Sequence, residues 1–327
     1  MGKSILSENT KKLENIAGIG PQTAERLRAS GYFTLESLAV ASSREISETT
    51  GLSKEKAAEI ASAARDMLEI KFNTAEELLR RRAQIDRLTT TVRALDQLLG
   101  GGVESQAVLE LVGEYGTGKT QICHTLCATV QLPREKGGLS GGAIYVDTEG
   151  TFRPERLSQI AESKGLRSGE ALKNVMVARA FNCDHQILIA EKLDEIISKK
   201  NIKIVIVDSV ISHFRAEYLG RESLTERQQR LNNHLHRLLR TAEVYCIPII
   251  VTNQVVAIPD AFSGSTMKPA GGNVLAHLST NRVLLRKGKG NIRIARIIDS
   301  PYLAESECTF VISEQGIEDI NDEAEKP

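Results

Sequence analysis

Residues 113–121 read Gly113-Glu114-Tyr115-Gly116-Thr117-Gly118-Lys119-Thr120-Gln121, and the first eight fit G-x-x-x-x-G-K-[ST]. An apolar run at 108–112 precedes them, and a helix-forming run from 121 to 131 follows. This strand–loop–helix setting is what the pattern requires. Its glycines let backbone N–H groups curl around phosphates at a helix N-terminus. In that arrangement Lys119 bridges the β and γ phosphates, and the Thr120 hydroxyl ligates Mg²⁺. The stretch therefore predicts a nucleotide-binding α/β fold.

Working outward, polar residues stand at the ends of further apolar strands. The run 204–208 delivers Asp208. Ligands of a parallel sheet sit at the carboxyl edge of its strands, so Asp208 is expected to orient Mg²⁺ or its water. The strand 143–147 leads into Thr148-Glu149-Gly150. Glu149 is the candidate base that activates water against the γ-phosphate; the competing reading is a loop carboxylate capping Gly150. A third strand ends Val251-Thr252-Asn253-Gln254. Gln254 is expected to touch the γ-phosphate and report it to residues 257–271, whose Pro, Gly and Ser content is that of a mobile functional loop. More strands are expected at 175–178, 248–252, 282–286, 293–299 and 309–312, with helices in the gaps to about residue 240. The pattern predicts a mostly parallel central sheet wrapped by helices, ending in an antiparallel extension.

Ahead of residue 88 the texture is helical. Ile16-Ala17-Gly18-Ile19-Gly20-Pro21 precedes an amphipathic helix over 23–30. Two glycines one residue apart allow a tight turn, and Pro21 suits a first helical turn. Such a helix–hairpin–helix can offer backbone N–H groups to DNA phosphates. A helical protein-docking domain is the competing reading, and nine basic against eight acidic residues up to Arg65 do not decide between them. A second helix pair follows, with residues 51–53 capping a helix over 54–68. The expected organisation is a small all-α domain at 1–68, a linker at 69–87 and an α/β core at 88–327. Phe72 and Ala75 are the apolar points opening the linker. Phe72 is either a stray on a solvated helix or a plug for a neighbouring subunit.

The 327 residues carry 42 Lys plus Arg and 42 Asp plus Glu. Zero net charge excludes coating of nucleic acid by bulk positive charge, but not a local basic surface. The charges are segregated. Residues 213–240 hold six Arg against three acids, with Arg215, Arg221, Arg227 and Arg230 around Tyr218. That mixture suits phosphate contact and base stacking, or is an ordinary charged helix face. Residues 280–304 hold six basic residues against one acid, whereas the last 23 residues hold eight acids and one Lys. With no Trp and few other aromatics, the core must rest on Ile, Leu, Val and Ala. Five Cys without a C-x-x-C pair argue for reduced thiols inside a cell. Cys123 and Cys127 share a helical face beside His124, which is read as small core packing rather than a metal site. No apolar run is long enough to span a bilayer, and the start lacks a signal-peptide apolar region.

Taken together, GEYGTGKTQ (113–121), DTEGTFRPER (147–156), VDSVISHFRAEYLGRE (207–222), TNQV (252–255), AGGN (270–273) and RIIDSP (296–301) resemble the RadA-type recombinases. These are the archaeal and eukaryotic branch of the RecA family, and the motifs occur in the family's order over nearly the whole chain. The resemblance implies a RecA-like P-loop ATPase core with a helix–hairpin–helix domain. It implies a filament, dependent on ATP and Mg²⁺, that forms on single-stranded DNA, pairs it with a homologous duplex and exchanges strands in recombinational repair. Lys119, Glu149 and Gln254 would be catalytic, Thr120 and Asp208 would serve the metal, and Arg156 would stack on adenine. Arg215, Tyr218, Arg221 and Arg227 correspond to the first DNA-binding loop, and 257–271 to the second. Phe72 and Ala75 match the F-x-x-A tether by which each subunit docks on its neighbour, a site that mediator proteins would share. Tyr115 falls where the family places an interface aromatic. In this family ATP lies between protomers, so His277, Asp299 and Pro301 would approach it from the adjacent subunit. Where the family has D-x-P-x-L-P this chain has Ala304 at the last position, which implies a looser lid. The implied location is an archaeal cytoplasm, or a nucleus if eukaryotic. Three rivals share parts of the pattern: a ring-forming helicase-like motor, an accessory filament protein using ATP only to assemble, and a small-molecule P-loop kinase. The tether and the Arg-rich stretch count against the kinase.

Overall fold

A computed structural model describes residues 13–32, 34–68, 72–220, 222–257 and 267–320. The chain divides into two compact units, residues 1–85 with 191–200, and residues 86–190 with 201–327.

In the first unit, helices Pro21–Ala29, Leu35–Val40, Ser43–Thr50 and Lys54–Met67 close around Leu27, Leu38, Ile46, Ile60 and Ala64. Their starts are written in the sequence. Thr34, Ser42 and Ser53 accept the backbone N–H groups of Ser37 (3.1 Å), Glu45 (3.0 Å) and Lys56 (3.2 Å), which the helices themselves leave unpaired. Of the two glycines in the hairpin turn only Gly18 uses its freedom, at φ +83°. Gly20 is extended and simply precedes Pro21 as the N-cap. Arg65 ties the last helix back by donating to the carbonyls of Ala39 (2.9 Å) and Ala41 (3.0 Å). The linker helix Ala75–Arg82 opens on a reciprocal cap between Thr74 and Glu77, yet none of its residues is buried.

The second unit is built on nine strands: β1 Val108–Gly113, β2 Gly142–Asp147, β3 Val175–Arg179, β4 Ile202–Asp208, β5 Ile249–Asn253, β6 Asn281–Lys287, β7 Ile292–Asp299, β8 Glu307–Ser313 and β9 Gly316–Glu318. Their order across the sheet is β9-β8-β7-β6-β1-β5-β4-β2-β3. Pairing is parallel from β6 across to β3 and antiparallel from β6 out to β9. The α/β plan expected from the sequence is the one present. β1, β2 and β5 are buried along their full length, so they appear in the sequence as mostly apolar runs rather than alternating ones, broken in β1 by Glu110 and ending in polar residues in β2 and β5. β9, three residues long, is too short to announce itself by periodicity. The acidic tail supplies β8, where a strand was expected, and β9; residues 321–327 lie outside the described residues.

Register brings the functional ends together. Val112 pairs with Asn253, Val207 with Val251, and Asp147 with Asp208. The carboxyl ends of β1, β5, β4 and β2 therefore share one edge. The two ends of the stretch 257–271 are paired. Val255–Ala257 and Met267–Pro269 pair as an antiparallel ribbon, closed at its base by the Ala270 N–H donating to the Gln254 carbonyl at 2.8 Å. Residues 258–266 lie outside the described residues.

Candidate active site

The loop after β1 turns into helix Lys119–Thr129 at Gly118, which has φ +103°. That backbone angle favours glycine, and a Cβ there would also have to displace Ile312 Cδ1, 2.9 Å away. Helix geometry leaves the N–H groups of Lys119, Thr120 and Gln121 without an intrahelical acceptor, a cradle for phosphate oxygens. Lys119 Nζ donates to the carbonyls of Gly113 and Glu114, both at 2.8 Å. Burial lowers the Lys119 pKa, against the opposing pull of Asp208 and Glu149. From β7, Arg293 Nε donates to the Gly116 carbonyl at 3.2 Å and braces the outer turn of the loop.

Asp208 lies at the end of β4 and is buried. Three hydroxyls donate to it: Thr120 Oγ1 (2.8 Å) and Tyr145 Oη (2.6 Å) to Oδ2, and Thr252 Oγ1 to Oδ1. Burial and the neighbouring Asp208 push the Tyr145 hydroxyl well up, which keeps it a donor. The donor set is that of a hard-cation site: a hydroxyl and a carboxylate at the mouth of a phosphate loop. Thr120 and Asp208 fit Mg²⁺ in the company of phosphate oxygens.

Glu149 follows β2. Its Oε1 accepts from Gln254 Nε2 at 2.9 Å. Gln254 Oε1 in turn accepts from Arg215 Nη1 at 3.3 Å. The three residues form a chain from the Arg-rich segment to the candidate base. Loss of water around the Glu149 carboxyl, then Asp208, raises its pKa above the ordinary carboxylate range, while Gln254 and Lys119 oppose the rise. Gly150 is not capped by Glu149; Asp147 does that. Its Oδ1 accepts the N–H groups of Glu149 (3.1 Å), Gly150 (2.7 Å) and Thr151 (3.2 Å), and its Oδ2 that of Phe152 (3.2 Å).

Arg156 lies at the start of helix Pro154–Ser163. Its Nε donates to Gln121 Oε1 at 2.8 Å, and Nη1 and Nη2 donate to the carbonyls of Glu314 (2.6 Å) and Ser313 (2.5 Å). The guanidinium is thus pinned between the loop helix and the end of β8. Just before the same helix, the backbone N–H of its N-cap residue Arg153 donates to His124 Nε2 at 3.1 Å, so Nδ1 carries the proton and donates to the Thr120 carbonyl at 2.8 Å. Burial lowers the His124 pKa and pushes the Cys123 and Cys127 thiols up, an environment that holds thiols rather than thiolate ligands. Among the described residues no cluster of His, Cys, Asp or Glu could hold a metal by itself.

Other expected site residues lie apart from this constellation. His277 is exposed on the last turn of helix Gly272–Leu278, and Asp299 and Pro301 are exposed at and beyond the end of β7. None of the three is hydrogen-bonded to the phosphate loop. Beyond them the turn is firm: Ser300 Oγ accepts the Leu303 N–H at 3.1 Å and donates to Asn281 Oδ1 at 2.7 Å, while Tyr302 donates to Glu104. Tyr115 is 94% exposed at the tip of the loop, and Phe72, just before Ala75, is 97% exposed. Tyr218 is not a free stacking face: the Arg230 guanidinium lies 5.8 Å over its ring and donates to its hydroxyl. Arg227 lies half-buried on helix Leu224–Tyr245, and Arg221 lies outside the described residues.

The family model described as Rad51 matches residues 81–320, and the one described as SAM-like Helix-hairpin-helix tandem matches residues 10–66. The chain belongs to the Rad51 family. It is 50% identical over 313 residues to the "DNA repair and recombination protein RadA" of Metallosphaera sedula, covering 95% of this chain and 97% of that one. It is also 50% identical over 309 residues to the protein of the same name from Aeropyrum pernix, covering 94% and 97%. Within the Rad51 family frame, several residues of the edge went unread in the sequence. Tyr145 and Thr252 were hidden inside apolar strands, and Asp147 was taken only as a strand end. The available signal was positional: each stands on a parallel strand near its carboxyl end, where polar side chains face a ligand.

Proposed function

We propose that the chain is a DNA strand-exchange recombinase: an ATPase that assembles with copies of itself on single-stranded DNA, pairs it with a homologous duplex and exchanges strands in recombinational repair. Family membership and relatives named for DNA repair and recombination support it. The single observation that carries the mechanistic part is the contact chain Arg215–Gln254–Glu149, which joins an Arg-rich segment to the nucleotide edge.

The N–H groups of 119–121 and Lys119 bind the phosphates of ATP. Thr120 and Asp208 hold Mg²⁺, which when bound draws charge from the phosphate oxygens. Glu149 takes the proton of the attacking water, a role its raised pKa suits. Gln254 holds Glu149 in the resting arrangement, and Arg215 holds Gln254. A DNA phosphate competes for Arg215, so DNA binding loosens the amide and speeds hydrolysis. Arg227 and Arg221 extend the same phosphate contact, while Tyr218 acts by orienting Arg230 rather than by stacking on a base. Arg156 supports the adenine. His277, Asp299 and Pro301, exposed and apart from the loop, serve the nucleotide of a neighbouring copy, and Tyr115 packs in that interface.

Self-assembly uses the tether. Phe72, with Ala75, docks on a second copy, and mediator proteins would compete for the same place. We assign 1–68 as the helix–hairpin–helix domain, 69–87 as the linker and 88–327 as the ATPase core. The relatives' organisms support an archaeal cytoplasm as the place of action, and no helix among the described residues is long and apolar enough to cross a membrane. The test is ATP turnover measured with and without single-stranded DNA. Stimulation that disappears in Arg215→Ala is the expected result; turnover indifferent to DNA would remove the reading.

A further inference from the structure

A second polar network lies behind the nucleotide edge. Glu110 stands in the middle of β1 with no exposed surface, and Arg282 on β6 lies beside it with 11% of its side chain exposed. A buried carboxylate is strongly unfavourable unless its oxygens are paired. Both are: Oε2 accepts from Arg282 Nε at 2.5 Å, and Oε1 accepts from Asn253 Nδ2 at 2.6 Å. The second proton of that Asn253 amide goes to the Ala270 carbonyl at 2.8 Å, and Asn253 Oδ1 accepts the Gln254 N–H at 2.8 Å.

These bonds have one consistent orientation. A carboxylate only accepts, so the Asn253 nitrogen must face Glu110 and its oxygen must face the Gln254 N–H. Glu110 therefore fixes which way the Asn253 amide points. Asn253 then fixes the backbone of Gln254 and, through Ala270, the base of the ribbon formed by Val255–Ala257 and Met267–Pro269. Gln254 is the residue whose side chain holds Glu149.

We infer that Glu110 is a positioning residue for hydrolysis: through Asn253 it sets the place of Gln254, and so of the Gln254–Glu149 pair, without touching nucleotide. The hydrolytic consequence rests on the reading of Glu149 and Gln254 given above; the anchoring of Gln254 does not.

The test uses the full chain with Glu110→Gln, which keeps shape but presents an amide that can pair with Asn253 either way round. Glu104→Gln is the matched control, since Glu104 is a buried carboxylate bonded to Arg87 at 3.1 Å and to Tyr302, remote from Asn253. Hydrogen exchange of the peptide containing Gln254 is expected to quicken about tenfold in Glu110→Gln and not in Glu104→Gln. Without DNA, kcat is expected to rise about tenfold, so that DNA adds little further stimulation, with KM for ATP within about twofold of the parent, because a displaced Gln254 no longer holds Glu149 at rest while phosphate binding is untouched. Equal exchange and equal kcat in the two variants, once matched for thermal stability, would overturn the proposal. So would faster exchange with unchanged kcat. If Glu110→Gln fails to fold, Asn253→Ala, which leaves the Glu110–Arg282 pair in place, must show the same pattern, and parental behaviour there overturns it equally. A wild-type chain with no DNA-stimulated turnover would break the recombinase reading instead. The exchange arm would then decide the anchor alone.

Discussion

The nucleotide edge and the linker helix are opposite kinds of surface. At the edge, Asp208 has three hydroxyl donors, Lys119 has two carbonyls and Asp147 collects four N–H groups. Each of these three charged side chains finds its partners within one chain, while the N–H groups of 119–121 stay open for phosphate. The linker helix Ala75–Arg82 is well capped yet exposes Leu78 and Leu79, with Phe72 wholly exposed just before it. Exposed apolar side chains of that kind fit the proposed docking on a second copy. The lesson is one of completeness. The ATP-binding half of the site is finished by the chain's own packing, whereas the tether acquires a role only against another molecule.

Substitutions at the edge should therefore act on chemistry in each molecule, and those in the tether only on assembly. The largest effect is expected from Lys119→Ala, which removes the phosphate cation; ATP turnover should fall on the order of 10³-fold. Residual turnover near the parent's would break the comparison at its strongest point. Glu149→Gln should lower kcat by about 10²-fold with ATP affinity retained, the range for a lost general base. Phe72→Ala should weaken self-association by at least about 2 kcal/mol, roughly 30-fold in the association constant. Sedimentation should show smaller species, while the melting temperature of the monomer stays put because Phe72 is almost fully exposed.

The pH dependence sharpens the same contrast. Glu149 works as a base only when ionised, and its pKa is raised by burial of the carboxyl and by Asp208. Turnover should thus fall as pH drops through a value above the roughly 4.3 of an ordinary glutamate. Self-association through Phe72 should show no such limb. A turnover limb at or below the ordinary value would contradict the assignment. The smallest effect is expected from Thr252→Val, which deletes one of three donors to Asp208 and leaves two; stability should drop by about 1.5 kcal/mol in thermal or chemical unfolding.

How much of this was legible follows from what each residue does. Gly118, Lys119 and Thr120 act through local geometry, so a short pattern carries them. Asp208 and Glu149 act at strand ends, and the rule for parallel sheets finds them without knowledge of the pairing. Glu110, Asn253 and Arg282 act through register across β1, β5 and β6, three strands distant in sequence, and no local signal marks them. The contact of Tyr218 with Arg230 is of the same kind: the guanidinium lies 5.8 Å from the ring centroid, twelve residues on in the chain, and no local signal marks the pair. The ribbon at 255–257 and 267–269 is hidden by composition, because the stretch it closes is rich in Pro, Gly and Ser and shows no periodicity.

The most direct test of the account is joint-molecule formation between homologous single-stranded and duplex DNA, run with ATP and Mg²⁺ present or withheld. The account predicts joint molecules that require both, and that vanish in Lys119→Ala and in Phe72→Ala. Joint molecules formed equally without ATP, or their absence in the wild-type chain beside normal ATP turnover, would contradict it.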